Sequence, residues 1–172
     1  MISRIIFLQV SIIIISIERP QMTFKHAVIN TLLVSSVLVS SGLQAKVPGI
    51  TTGAQLQAQA EKRTTIISTQ ALKKMLDEDL DMVLVDVRLP SEITGMGGAI
   101  KAPQNRNIPR GWLEYRIISV ALSKDTPIVV YCGAGIRTPL AADTLQKMGY
   151  TNVKNYSAGY IGWKKAGLPT AP

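Results

Sequence analysis

The chain has 172 residues, 47% of them hydrophobic, which is enough for one domain with a real core but not comfortably for two. Its formal net charge is +8 at pH 7, and the basic residues are scattered without interleaved aromatic residues. This pattern argues against a nucleic-acid-binding protein and is compatible with attraction of small anions. The single cysteine excludes a disulfide framework within the chain.

The first 45 residues differ in composition from the rest of the chain. Segment 22–45 has a Lys-His pair near its start, an apolar run over 27–39 and a small-residue region that ends at Ala45. This order is typical of a secretory signal peptide, with cleavage after Ala45 or after Gly42. We therefore expect a periplasmic or secreted protein. After cleavage we expect no stable membrane anchor, since no cysteine near the cleavage region is available for a lipid.

A second apolar run, from Ile5 to Ile17, precedes this signal. The run is too short for a spanning helix, which needs about 20 apolar residues. Because Met22 begins a complete signal peptide by itself, we interpret residues 1–21 as an over-extension of the start site. A tandem anchor is the alternative interpretation.

Segment 46–63 is polar and rich in Gln and Ala, which predicts a linker or a short amphipathic lead-in. The apolar and β-branched residues at 64–67 then predict an edge strand. A helix follows, which Ser68 or Thr69 caps and which ends near Glu78.

The run 82–87 is apolar and predicts a buried strand of a parallel sheet. Asp86 and Arg88 lie at the carboxyl end of this strand, which is where ligands bind in open parallel sheets. We interpret the two residues as an ion pair that supports a neighbouring site, with Glu92 as another partner for Arg88.

Residues 103–109 predict a loop that leads into a short strand at Ile108. The next segment opens a helix, in which Trp112 is expected in the core. Arg110 is either an exposed loop residue or part of a pocket mouth.

The stretch Ile128–Tyr131 contains four apolar or aromatic residues and predicts a central strand buried on both faces. A helix follows, with Thr138 as its N-cap, Pro139 in its first turn and Gly149 at its end. Cys132 therefore lies where the central strand ends and a tight loop begins.

This loop has the properties of an anion site. Its backbone amides and the positive end of the following helix dipole favour a thiolate on Cys132, and Arg137 offers a planar guanidinium to an oxyanion. A buried structural cysteine is the alternative, which the two loop glycines and Arg137 disfavour. The candidate site comprises Cys132 with the loop residues Gly133, Ala134, Gly135, Ile136, Arg137 and Thr138.

The remaining segments are a last strand at 153–156 and a short helix at 160–166. Strands that alternate with helices predict an α/β fold, in which helices flank both faces of a parallel sheet.

Four short motifs occur in an order that resembles the rhodanese sulfurtransferases. Each motif is weak singly, but together they are specific and cover the chain from about Thr65 to Pro169. The motifs are D-V-R-L-P-S-E at 86–92, N-I-P at 107–109, C-G-A-G-I-R at 132–137, and S-A-G-Y at 157–160 with Trp163 and G-L-P at 167–169.

The resemblance implies a rhodanese-like domain over 64–172 that transfers sulfur. Cys132 would take sulfur from a donor such as thiosulfate, hold it as a persulfide and pass it to a thiophilic acceptor such as cyanide. Arg137 would hold the sulfonate end of the donor. The implied partners are small sulfur-containing anions and a thiol or protein acceptor, and no metal or organic cofactor is implied. A carrier or docking module with little small-molecule turnover is the alternative.

Two features depart from the family pattern. Residues 95–99 are G-M-G-G-A where members commonly have G-H-I-x-G-A, and an apparent insertion at 100–106 follows. Ala158 stands where the family often has glycine. The first departure concerns the path of this loop and its contribution to the pocket rim, whereas the cysteine loop is unaffected.

Cysteine phosphatases have a similar anion-binding loop between a cysteine and an arginine, but their arginine lies six positions after the cysteine. Here Arg137 lies five positions after Cys132. The tighter loop should admit one added sulfur atom and crowd a phosphate group, which disfavours a phosphatase.

The mature protein should begin near Lys46 and be recovered from the periplasm or the medium, because signal peptidases cut after small residues. N-terminal sequencing of the exported protein tests this expectation. A membrane-bound species that retains residues 1–45 would contradict it.

Overall fold

The computed structural model describes residues 49–79 and 81–172. The predicted start-site extension at 1–21, the signal peptide at 22–45 and its cleavage sites lie outside the described residues. None of the described helices is long and apolar enough to cross a membrane.

Two sheets are present in the described part of the chain. The larger sheet contains β1 (Thr65–Ile66), β2 (Val83–Asp86), β4 (Asn105–Asn107), β5 (Ile128–Tyr131) and β6 (Val153–Asn155). Its strands are all parallel and lie in the order β1-β6-β5-β2-β4. The smaller sheet pairs β3 (Ala99–Ile100) with β7 (Thr170–Ala171) in antiparallel fashion, a pairing that the sequence patterns did not predict.

Helices cover both faces of the large sheet, which confirms the predicted fold class. The helices are α1 (Gly53–Glu61), α2 (Thr69–Glu78), α3 (Pro90–Gly95), α4 (Leu113–Arg116), α5 (Thr138–Lys147) and α6 (Gly159–Lys165), and 3₁₀ turns at Arg110–Trp112 and Ile117–Ser119 flank α4.

Strand β5 lies at the centre and divides the core into two layers. Ile128 and Val130 pack with residues of α4 and α5, whereas Val129 and Tyr131 pack with residues of α2 and α6. All four side chains are fully buried because successive side chains of a strand point to opposite faces. The prediction of a strand buried on both faces is confirmed.

Of the two interpretations of segment 46–63, a linker or a short lead-in, the linker is wrong for much of the segment. Helix α1 occupies Gly53–Glu61 and begins with a capping box on Thr52. Ala60 is fully buried, and Arg63 donates to both carboxylate oxygens of Asp143 on α5, at 2.7 and 2.9 Å. This segment is therefore packed against the domain.

The next two elements agree with the sequence. Strand β1 pairs only with β6 within the described sheet, as expected of an edge strand. The side chain of Ser68 accepts a hydrogen bond from the Ala71 amide and caps α2.

The segment 103–117 differs from its prediction. Strand β4 ends at Asn107, and the Ile108 amide donates to Asp86 O just beyond it. Trp112 is 53% exposed and not in the core, because Leu113 and Ile117 fill the core at this point. The Trp112 ring instead stacks on the Arg116 guanidinium, 4.9 Å from the ring centroid.

Candidate functional site

The candidate site lies at the carboxyl ends of β2 and β5, which pair with Asp86 opposite Tyr131. Cys132 directly follows β5 and is 1% exposed. Of the other predicted residues, Arg137 is half-buried, and two are exposed, Ala134 and Ile136. The buried ones are Gly133, Gly135, Thr138, Asp86 and Arg88.

Helix α6 holds the cysteine loop in place from the side. The amides of Tyr160 and Ile161 donate to Cys132 O at 2.8 Å and to Gly133 O at 3.0 Å. Gly159, at φ +62, makes this approach possible, because a Cβ atom there would lie 2.6 Å from Gly133 O. In the sequence, the S-A-G-Y segment was used only as a family motif, and these hydrogen bonds from α6 to the cysteine loop were not predicted. The segment was nevertheless the sequence signal for them.

The expected nest of backbone amides at residues 133–138 stays a prediction, and one observation is compatible with it. None of these six N–H groups donates a hydrogen bond to another described residue. The Thr138 hydroxyl instead donates to Gly135 O at 2.8 Å and closes the loop. These amides therefore have no acceptor among the described residues, as an anion-binding loop requires.

The start of α5 lies one residue from its prediction. Arg137 occupies the N-cap position, Thr138 is the first helical residue, and Pro139 lies within the first turn. Thr138 is no N-cap because its hydroxyl points back into the loop. Gly149, at φ +101, follows the end of the helix as predicted.

Arg137 and Glu92 form a bidentate ion pair. The two terminal guanidinium nitrogens donate to the two carboxylate oxygens at 2.8 and 2.6 Å. These hydrogen bonds, with one from the Leu89 amide, lower the pKa of Glu92 to about 2. The pKa of Arg137 is raised, first by Glu92 and to a lesser extent by the neighbouring Cys132. Glu92 was expected to be a second partner of Arg88, and this expectation is wrong because α3 directs its carboxylate to Arg137.

The predicted ion pair of Asp86 and Arg88 is present and fully buried. Arg88 Nε donates to both carboxylate oxygens of Asp86, at 2.9 and 3.0 Å, and another guanidinium nitrogen donates to Gly98 O at 3.0 Å. The guanidinium also lies 4.5 Å from the centroid of the Tyr160 ring. The pair therefore connects β2, the 95–98 loop and α6.

The 95–98 loop departs from the family pattern, and it packs on the cysteine loop. Met96 Sδ lies 3.1 Å from the position that a Cβ atom on Gly133 would take, and Gly97 O accepts a hydrogen bond from the Tyr160 hydroxyl at 2.8 Å. Met96 is thus a site residue that sequence reasoning missed. The only sequence signal for this role was that segment 95–99 lacks the histidine of the family motif.

Among the described residues, no cluster of three or more His, Cys, Asp or Glu side chains is arranged to hold a metal ion.

Comparison with known proteins gives a consistent result. Residues 68–166 match the family described as the rhodanese-like domain. A sulfurtransferase of Allochromatium vinosum is 34% identical over 104 residues, which cover 60% of this chain and 91% of that protein.

Two solved structures are similar to this chain with a TM-score of 0.60 each. The polysulfide-sulfur transferase homodimer of Wolinella succinogenes is 30% identical, and the match covers 69% of this chain and 88% of that one. A protein of unknown function from Rhodopseudomonas palustris, described as a possible tyrosine phosphatase, is 29% identical, with 73% and 100% covered.

The close packing of Gly135 provides a test of the loop geometry. Gly135 has φ +81, and a Cβ atom there would lie 1.8 Å from Ser157 O. Gly149 also has positive φ, but a Cβ atom there would have no neighbour within 4 Å. Gly149→Ala should cost about 1 kcal/mol of unfolding free energy from backbone strain alone, whereas Gly135→Ala should cost about 3 kcal/mol or more. Urea denaturation measures both, and equal costs would contradict the packing described here.

Proposed function

The chain belongs to the rhodanese-like family, as the match over residues 68–166 shows, and on this premise we propose that it transfers sulfane sulfur through a persulfide on Cys132. The donor is a small anion such as thiosulfate, and the acceptor is cyanide or a thiol. The observation that carries the proposal is the position of Cys132 before a loop whose six amides have no acceptor among the described residues.

The proposed reaction has two steps. The Cys132 thiolate attacks the outer sulfur of thiosulfate, the bond between the two donor sulfurs breaks, and sulfite leaves with the bonding electrons. The acceptor then attacks the outer sulfur of the persulfide, and Cys132 leaves as a thiolate. The loop amides stabilise the thiolate and the persulfide anion in the manner of an oxyanion hole.

Arg137 is proposed to hold the sulfonate end of the donor. The bidentate bond to Glu92 fixes the guanidinium of this loop residue. The alternative is that Arg137 only braces the loop through Glu92. The two roles differ in which half-reaction they affect.

Two other functions fit the same loop. A persulfide carrier or docking module needs Cys132 and the amide nest but little turnover with small donors. A thiosulfate and cyanide turnover assay, run beside a pull-down from the same compartment, separates it from the enzyme. A phosphatase is disfavoured by the spacing of five between Cys132 and Arg137, and efficient hydrolysis of aryl phosphates would restore it.

The location of the reaction is also a proposal. The signal-like segment 22–45 supports a periplasmic or secreted enzyme.

Cys132→Ser should abolish sulfur transfer and leave the fold intact, because a hydroxyl is too weak a nucleophile to replace a thiolate. Intact mass spectrometry before and after thiosulfate should show a gain of one sulfur atom in the wild type alone, and cyanide should remove it. Circular dichroism controls for folding. Turnover retained by Cys132→Ser would rule out the mechanism.

Arg137→Ala should slow loading from thiosulfate by about one to two powers of ten, because a charge-assisted contact to the sulfonate is lost. Discharge to cyanide should fall much less, since cyanide carries no sulfonate. Single-turnover measurements of both half-reactions test this difference.

Glu92→Gln is the matched control, because it removes the charge partner and keeps the guanidinium. It should slow loading far less than Arg137→Ala does. If both variants slowed loading and discharge equally and lowered the melting temperature, Arg137 would be a brace and not a donor-binding residue.

A further inference from the structure

Segment 112–122 carries two apolar stripes, and the core uses only one of them. The inner stripe is Leu113, Ile117 and Ala121, which are spaced by four residues and are at most 1% exposed. The outer stripe consists of four large side chains that are each more than half exposed: Trp112, Tyr115, Ile118 and Leu122. None of these four belongs to either core cluster of the described residues. The core therefore does not account for the outer stripe.

The outer stripe is continuous along one side of this segment. Its members are three, three and four residues apart, which places side chains on one face where the backbone is helical, and α and 3₁₀ turns run without a break over 110–119. The rings of Trp112 and Tyr115 pack edge to face, with centroids 6.3 Å apart. Ile118 and Leu122 line one groove of about 290 Å³ together with Met148. Contiguous exposed apolar surface of this kind marks an interaction site.

Two unpaired cations lie at the ends of the outer stripe. The Arg116 guanidinium lies 4.9 Å from the centroid of the Trp112 ring, and Lys124 lines the same groove as Leu122. Neither cation forms an ion pair with a carboxylate within 49–79 and 81–172. The stripe therefore combines apolar and aromatic side chains with free positive charge at both ends.

The carboxylates beside the stripe are already engaged. Glu114 pairs with Arg110 at 2.8 Å, and Asp125 accepts a hydrogen bond from the Thr151 hydroxyl at 2.6 Å. The described residues contain 15 Lys and Arg against 10 Asp and Glu, so the surrounding field is also positive. Two copies of the chain that met along this stripe would bring their free cations together, whereas an anionic surface complements them.

We propose that the outer stripe is a reversible binding site for a lipid bilayer that contains anionic lipids. Trp and Tyr side chains favour the headgroup region, where the ring lies in an apolar layer and its polar atom meets water. Ile118 and Leu122 enter the outer part of the hydrocarbon layer, as the apolar face of an interfacial helix does. Arg116 and Lys124 meet lipid phosphates. The inference does not depend on the proposed sulfur transfer, because no residue of the cysteine loop belongs to the stripe.

Trp112 provides a direct signal for this binding. The second tryptophan of the described residues, Trp163, is 1% exposed and serves as an internal reference. Vesicles of equal parts phosphatidylcholine and phosphatidylglycerol should sediment the protein and shift its fluorescence emission to shorter wavelength. Vesicles of phosphatidylcholine alone should bind about tenfold more weakly or less, because only the anionic lipid attracts the two cations. Binding to the anionic vesicles should weaken as ionic strength rises.

Two variants assign the binding to the stripe. The apolar variant, Tyr115→Ser, Ile118→Ser, Leu122→Ser, should bind anionic vesicles about tenfold more weakly than the wild type or less, because the inserted side chains are lost. The cation variant, Arg116→Gln, Lys124→Gln, should lose the preference for anionic over neutral vesicles.

The matched control is Leu56→Ser, Ile66→Ser, which removes two exposed apolar side chains on α1 and β1, outside the stripe. It should bind like the wild type. All variants keep the wild-type N-terminus, so that segment 1–45, where it is retained, contributes equally to each.

The outcomes decide for or against the bilayer. If the wild type does not bind anionic vesicles, or the apolar variant binds them as tightly as the wild type, the inference is wrong. If sedimentation equilibrium shows a wild-type dimer that the apolar variant converts to a monomer, and neither protein binds vesicles, the stripe joins two copies and the inference is also wrong. If circular dichroism shows that the apolar variant does not fold, the lipid preference of the cation variant decides the question.

Discussion

The site depends on the first turn of α6, which holds the loop between β5 and α5 in place. Two backbone hydrogen bonds, to Cys132 O and Gly133 O, tie the start of the loop to Tyr160 and Ile161. At this point the two chain segments approach so closely that Gly159 leaves no room for a Cβ atom. No amide of residues 133–138 donates a hydrogen bond to another described residue. The geometry of the loop is thus a consequence of tertiary contact as well as local sequence.

Two arginine–carboxylate pairs surround this loop and differ in burial. Asp86 and Arg88 are fully buried. The cost of removing both charges from water offsets much of their mutual attraction, so the pair fixes the geometry of the site more than it raises the free energy of unfolding. One terminal nitrogen of Arg88 donates to Gly98 O and the other to Met96 Sδ, and these bonds fix the 95–98 loop. Glu92 and Arg137 are half-exposed and connect α3 to the cysteine loop. Together the pairs connect the 95–98 loop and α3 to the carboxyl ends of β2 and β5.

The parallel sheet explains why these parts meet. In such a sheet the carboxyl ends of neighbouring strands share one edge, so β2 and β5 deliver Asp86 and Cys132 to the same place. The surface that results is chemically uneven. At the loop Arg137 is paired with Glu92, and beside the loop lies a groove lined by Met96, Tyr160, Ile161, Lys164 and Lys165.

The sequence by itself determined the fold class, the central strand, the position of Cys132 and the Asp86–Arg88 pair, because these follow from local periodicity, caps and strand ends. It misplaced Trp112 and the partner of Glu92, and it left open whether 53–61 is a linker or a lead-in that packs on the domain. It gave no indication of the β3–β7 pair or of the groove at Met96. Glu92 and Arg137 are separated by 45 residues along the chain, and Arg63 and Asp143 by 80. Such pairs form only when the register of the sheet and the docking of helices bring distant segments together, so tertiary structure decided them.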